Sequence, residues 1–136
     1  MPQNYINIEI IERLFINDFS SVRIELENIK RRGISISLDD FGTGFSSFNY
    51  LYQLPLDILK IDMSFIRNML VDDKAMAIVE SILKLAKRLK INSLAEGVEN
   101  IEQLKILEKL GCDYIQGYLL ARPMAEEDFE ELIKTQ

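Results

Sequence analysis

Histidine is absent from this sequence. Its absence removes the commonest general base and the commonest side-chain ligand of zinc, copper and nickel. Catalysis would have to run on carboxylates, lysine or a bound metal. Cysteine is almost missing too. Cys112 stands alone, so no internal disulfide can form. That fits a reducing, cytoplasmic setting. No run of about 18 uncharged apolar residues occurs, so no direct membrane insertion is expected in this segment. The opening MPQNYINIEI lacks a basic start and a cleavage pattern, so no signal peptide is expected. Positive charge is in short supply: the formal net charge is −6. Nonspecific binding to a nucleic-acid polymer needs Lys and Arg to neutralise phosphates, so that partner class is disfavoured. A small anionic ligand stays compatible if a metal supplies positive charge locally.

What is present reads as an ordinary core-forming chain. Hydrophobic residues make up 48% and charged residues 28% of 136 residues, enough for one domain or part of one. Short apolar runs alternate with helix-period segments. Strands are expected at 5–11, 34–40, 56–62, 91–98 and 114–120. Helices are expected at 19–33, 46–54, 72–90, 101–111 and 125–134. In the first helix Val22, Leu26 and Ile29 recur at three- and four-residue spacing, and Gly33 is a stop. In the third, Asp72 or Asp73 can cap and Ile78, Ile82, Leu85 and Leu89 form an apolar face. Asn100 is a plausible N-cap for 101–111, with Gly111 beyond its end. Alternation of this kind calls for a parallel sheet with right-handed crossovers. Two architectures remain open: a doubly wound open sheet and a (β/α)8 barrel. No glycine-rich dinucleotide fingerprint follows the first strand, which weakens the former.

Side chains alternate across a strand. One face then collects Asn7 and Glu9; Ser35, Ser37 and Asp39; Ile58, Lys60 and Asp62; Asn92, Leu94 and Glu96; Tyr114, Gln116 and Tyr118. Every strand carries an ionisable or amide group on one parity, in its middle or C-terminal half. A barrel active site is built at that rim from several strands. The stretch SLDDFGTGFSS adds a second carboxylate, Asp40, beside Asp39. A turn explains such a pair blandly. A cation explains it chemically, because facing carboxylates raise each other's pKa unless a cation sits among them. Glu9, Asp39, Asp40 and Glu96 are hard oxygen ligands, and without histidine the natural occupant is Mg²⁺ or Mn²⁺. Two ions roughly 3.5–4 Å apart would suit phosphoryl displacement. Lys60 adds a fixed positive charge, or is an ordinary snorkelling lysine.

DDFGTGFSS, LKID with the following SF, AEGVE and GCDYIQGYLLARP occur in the order and spacing of the EAL-type cyclic di-GMP phosphodiesterases, which this chain resembles over nearly its whole length. EIIE resembles that family's E-x-T-E element. The resemblance implies a (β/α)8 barrel that hydrolyses cyclic di-GMP to linear pGpG with two Mg²⁺ or Mn²⁺ ions. It implies metal ligation by Glu9, Asp39, Asp40 and Glu96, with Asp39 bridging. Lys60 resembles the lysine beside the attacking water, and Glu96 is also cast as general base. Gln116 resembles a group that positions water or metal ligands. Glu99 and Glu12 resemble supporting residues, and Phe41, Gly42, Thr43, Gly44 and Phe45 resemble the loop that couples dimerisation to metal binding.

The departures are large and lie upstream. The Glu-Ala-Leu motif, which supplies a metal ligand, is absent, as are a substrate arginine near it and a metal-binding asparagine. Ile11 stands where threonine is usual and Met63 where arginine is common. Residues 1–136 therefore read as the C-terminal part of one barrel domain: five of eight βα units, against roughly 250 residues for the fold. The metal site is expected to be incomplete and the piece itself inactive. Open sheet edges imply self-association, such as a homodimer. The alternatives are a cyclic di-GMP-binding or regulatory module without turnover, and an unrelated barrel enzyme using Lys60 as a Schiff-base nucleophile.

Overall fold

The computed structural model of the chain describes residues 6–11, 18–41 and 48–119, the side chains of 40 and 48–50 excepted. The expected closing helix at 125–134, Glu12 and the loop from Gly42 to Phe45 lie outside the described residues. Five strands form one sheet: β1 (Asn7–Ile11), β2 (Ser35–Phe41), β3 (Ile58–Ile61), β4 (Asn92–Glu96) and β5 (Tyr114–Gln116). All neighbours are parallel, and their spatial order is β1-β2-β3-β4-β5. A doubly wound sheet reverses its strand order at a switch point. This one never reverses. Each new strand is added on the same side, as in a barrel, and the sheet is open over the described residues.

The helices are α1 (Phe19–Arg31), α2 (Phe48–Gln53), α3 (Met63–Asn68), α4 (Asp73–Leu89) and α5 (Ile101–Lys109). They pack on the face carrying Ile36, Leu38, Leu59, Ile61 and Ala95, all buried. Leu26 of α1, Ile66 of α3, Val79, Ile82, Leu83 and Ala86 of α4 and Leu107 of α5 complete that core. Full burial of one such aliphatic side chain contributes about 1.5–3 kcal/mol. The other face is left to the polar parity.

Local chemistry fixes the ends. Asp72 caps α4 by accepting from the Lys74 amide at 2.9 Å. Asn100 and Gln103 form a reciprocal capping box on α5. Gly33 and Gly111 take left-handed φ of 80° and 83° just past α1 and α5. Lys90 closes α4 at φ 58°, a conformation that glycine would adopt more cheaply.

Three expectations need correction. The apolar face of α4 is rotated: Ala75, Val79, Ile82, Leu83 and Ala86 are buried, while Ile78 is exposed. The helix α3 was not legible, because Asp62 reads as the end of a strand. It is instead the N-cap of α3, accepting from the Ser64 amide at 2.9 Å, and so leaves the strand's polar parity. Phe41 is not a loop residue: it ends β2, pairs with Ile61 and is buried in the core. Between Leu38 and Phe41, β2 takes three steps where β3 takes two from Leu59 to Ile61. The extra residue is a bulge, which turns Phe41 onto the helix-covered face although Asp39, two residues earlier, points the other way.

Candidate active site

The register brings the expected polar groups together at the carboxyl ends of the strands. Glu9 comes from β1, Asp39 from β2, Lys60 from β3 and Glu96 from β4. Lys60 Nζ lies 2.6 Å from Glu9 Oε1, 2.7 Å from Glu96 Oε1 and 3.7 Å from Asp39 Oδ2. The first two are short charge-assisted contacts. The Lys60 side chain is buried, those of Glu96 and Asp39 are 15% and 21% exposed, and that of Glu9 is 51% exposed. Beneath them the Asn7 amide donates to Ser37 Oγ at 2.9 Å, satisfying a fully buried hydroxyl.

Burial by itself would push the Lys60 ammonium below its ordinary value. Hydrogen bonds to Glu9 and Glu96 and the charges of Glu96 and Asp39 outweigh it, and its pKa is raised. Lys60 is therefore cationic at neutral pH. A Schiff-base nucleophile must be neutral, so the geometry argues against that reading.

Three carboxylates face one ammonium. Formal negative charge exceeds positive by two, and every donor is a hard oxygen. This set fits a further divalent cation of the Mg²⁺ or Mn²⁺ type. The side chains do not stand ready around a vacant centre: among the described residues no three Cys, Asp or Glu side chains form a metal-holding group. Lys60 occupies the middle, as the cation that lets the carboxylates approach.

The remaining expected residues divide. Gln116 ends β5 directly opposite Glu96 in register. Glu99 lies on the rim after β4, where its Oε1 stands 3.5 Å from Nη2 of Arg67. Asp40 has its backbone in β2; its side chain, like Glu12, Gly42, Thr43, Gly44 and Phe45, is outside the described residues.

Sequence reasoning missed what holds this rim. Gly117 follows Gln116, and a Cβ there would meet Val98 O at 2.3 Å and Val98 N at 2.4 Å. Only glycine lets the β5 end approach so closely. The Val98 amide donates to Gln116 O, and the Leu119 amide to Val98 O, both at 3.1 Å. Buried Gln103 braces the other side. Its Oε1 accepts from the Glu99 amide at 2.7 Å and the Asn100 amide at 3.3 Å, and its Nε2 donates to Ile66 O at 3.2 Å. The spacing of Asn100 and Gln103 was a readable signal. Arg67 was hidden because its helix was. Together these contacts leave a cleft of about 190 Å³ beside Glu96, lined by Met63, Arg67, Glu99, Gln116 and Tyr118.

A singly wound parallel sheet, helices on one face and carboxylates gathered at the strand ends define an α/β protein of the barrel class. Comparison with known proteins names the family. The chain belongs to the EAL domain family, whose model matches residues 1–123. It is 38% identical over 130 residues to the cyclic di-GMP phosphodiesterase NbdA of Pseudomonas aeruginosa, covering 96% of this chain and 17% of that protein. It resembles the solved structure of the PaMucR phosphodiesterase in complex with c-di-GMP at TM-score 0.89 and 40% identity, covering 95% of this chain and 52% of that one. It also resembles the manganese and cyclic di-GMP complex of Klebsiella pneumoniae BlrP1, with TM-score 0.81 and 31% identity, over 90% of this chain and 31% of that one. The chain thus spans about a sixth of the curated relative.

Proposed function

We propose that this chain is the C-terminal part of an EAL barrel that hydrolyses one phosphodiester of cyclic di-GMP to linear pGpG. The observation that supports it is the convergence of Glu9, Asp39 and Glu96 on Lys60 at 2.6, 3.7 and 2.7 Å. Glu9, Asp39, Asp40 and Glu96 would hold two divalent ions, Mg²⁺ or Mn²⁺. Such ions, when bound, bring water toward ionisation near neutral pH and offset phosphate charge.

The chain's own residues have separable tasks. Lys60, held cationic, donates hydrogen bonds toward the attacking water or a phosphate oxygen without giving up its proton. Glu96 is the carboxylate placed to accept a proton, being mostly buried and fixed through Oε1 by Lys60. Gln116, across from it, orients water or a ligand oxygen. The 136 residues lack a Glu-Ala-Leu sequence. Alone they are expected to bind cyclic di-GMP but turn over little of it.

The test is product analysis with Mn²⁺ or Mg²⁺, comparing this chain with one extended upstream by an EAL motif segment. Formation of pGpG by the extended protein, lost in Lys60→Ala and Asp39→Asn, supports the reading. Ligand binding with no turnover in the extended protein would select the alternative, a binding or regulatory module that does not cleave.

A further inference from the structure

We infer that a second cleft, at the opposite end of the sheet from the carboxylate cluster, binds a phosphate dianion, either the free ion or a terminal monoester. The cleft holds about 190 Å³ and is lined in part by Lys87, Lys90, Asn92, Ser93, Gly111 and Asp113. Asn92 opens β4 and Glu96 ends it. Roughly 13 Å of strand therefore separates this cleft from the rim. It shares no lining residue with the carboxylate cluster.

Lysines at helix C-termini often serve the helix itself, by meeting its last carbonyls and its dipole. Here backbone amides already meet those carbonyls. Beyond α4, the Lys90 amide donates to Ala86 O and Lys87 O, and the Ile91 amide donates to Ala86 O at 2.9 Å. Beyond α5, the amides of Leu110, Gly111 and Cys112 donate to Ile106 O, Glu108 O and Leu107 O at 2.9, 3.1 and 3.0 Å. The two ammonium groups are not needed as caps. Among the described residues neither Lys87 nor Lys90 makes an ion pair.

The geometry also gathers them. Lys87 Nζ lies only 2.8 Å from where a Cβ on Gly111 would stand. Glycine, required there by its φ of 83°, thus lets the ammonium settle against the backbone. The single carboxylate of the lining is engaged by the strand: Asp113 Oδ2 accepts from the Ser93 amide at 2.9 Å and from Ser93 Oγ at 3.3 Å. Two ammonium groups against one carboxylate leave the cleft a net charge of +1, in a chain of net charge −6.

Each ammonium carries three N–H donors and accepts nothing. A phosphate monoester near neutral pH carries a charge of about −1.5 to −2 and three strong acceptor oxygens, enough to engage both lysines at once. A diester has one charge and fewer free oxygens, so it pairs less well. The volume is below the roughly 300–1,000 Å³ of pockets for drug-sized ligands. It suits a compact anion rather than a dinucleotide.

The test is titration of the 136-residue chain with inorganic phosphate at constant ionic strength. A chelator is included, so that no divalent ion at the rim can capture the anion. The amide resonances of Lys90 and Gly111 should shift and saturate, while those of Lys60 and Glu96 stay in place. Lys87→Gln and Lys90→Gly should each weaken binding about tenfold. Lys90→Gly also relieves a left-handed φ of 58°, so it should raise the unfolding midpoint without phosphate while lowering the affinity. A damaged fold cannot give that combination. A nucleoside 5′-monophosphate should bind at least as well as inorganic phosphate if the site takes a terminal ester, and more weakly if it takes the free ion. Dimethyl phosphate, with one charge, should bind about tenfold more weakly than inorganic phosphate. Undisturbed Lys90 and Gly111 resonances, equal binding of dimethyl phosphate, or unchanged affinity in both variants would overturn the assignment.

Discussion

Lys60 is where the chemistry of single residues is most exposed to test. Three carboxylates lean on its ammonium, so replacing it should leave them repelling one another. Lys60→Met is expected to cost about 2 kcal/mol, less than the roughly 3–5 kcal/mol for breaking a fully buried pair, because Glu9 is half exposed. Urea unfolding would measure it. Added Mn²⁺ should restore more stability to this variant than to the parent. An unchanged midpoint would mean that the cluster is not electrostatically strained. Cys112 offers a pH test away from the rim. Burial, above all, pushes its thiol above the ordinary 9.0, and Sγ donates to Tyr114 O at 3.1 Å. A group whose folded pKa is raised contributes stability in full below its unfolded pKa. That contribution is lost as pH climbs through the raised value. Stability should therefore fall from about pH 9 upward, and less steeply in Cys112→Ala. Denaturation curves at pH 8 and 10 would show whether the slopes differ.

Elements owe their placement to a few contacts that strand and helix periodicity cannot show. Gly117 and Gly33 illustrate the difference. A Cβ at Gly33 meets nothing within 4 Å, so alanine there carries only the left-handed φ penalty, about 1 kcal/mol. At Gly117 a Cβ would strike Val98 backbone, and β5 would have to move. Gly117→Ala should destabilise clearly more than Gly33→Ala and also weaken Mn²⁺ or ligand binding, since Gln116 moves with the strand. Equal losses in the two variants would count against the close approach. Gln103→Ala removes three hydrogen bonds, two to amides at the start of α5 and one to Ile66 O of α3, and should cost about 2–3 kcal/mol in thermal or urea unfolding. The strands themselves were legible in the sequence, because period-two alternation of Ile, Leu and Val with polar groups survives in a sheet covered on one face. So were the caps at Asp72 and Asn100. The helix α3 was not, because six residues carry too little periodicity, and Asp62 fits a strand's parity as well as a cap. The bulge after Leu38 was invisible for a similar reason: it depends on β3 pairing, which no local pattern in β2 reports. Two carboxylate braces were missed as well. Asp57 accepts from the Ile36 amide at 2.8 Å and Lys30 at 2.6 Å, and Asp113 accepts from the Ser93 amide at 2.9 Å. Both join strands distant in sequence.

Across the whole molecule, the order of strands decides the architecture and the rim decides its use. Five strands added in one direction, the first four each followed by a helix on the same face, bring carboxylates distant in sequence to one end. The rim residues Glu9, Asp39, Lys60 and Glu96 were readable as a set because a strand's parity is strict. Their mutual approach around an ammonium was not readable, since it depends on twist and register. Among the described residues β1 and β5 are the outer strands, and Ile11 and Tyr114 on them are exposed. Edges of this kind favour pairing with another chain. Sedimentation of the purified chain at micromolar concentration should therefore show dimers or larger species, and a stable monomer would argue that the edges are covered. The convergence of rim oxygens has a more direct test in Mn²⁺ binding followed by the loss of the free-ion paramagnetic resonance signal. The chain should take up Mn²⁺, and Asp39→Asn and Glu96→Gln should each weaken uptake about tenfold or more. If the signal is undiminished by the chain, or equally diminished by both variants and the parent, those oxygens do not hold a divalent ion.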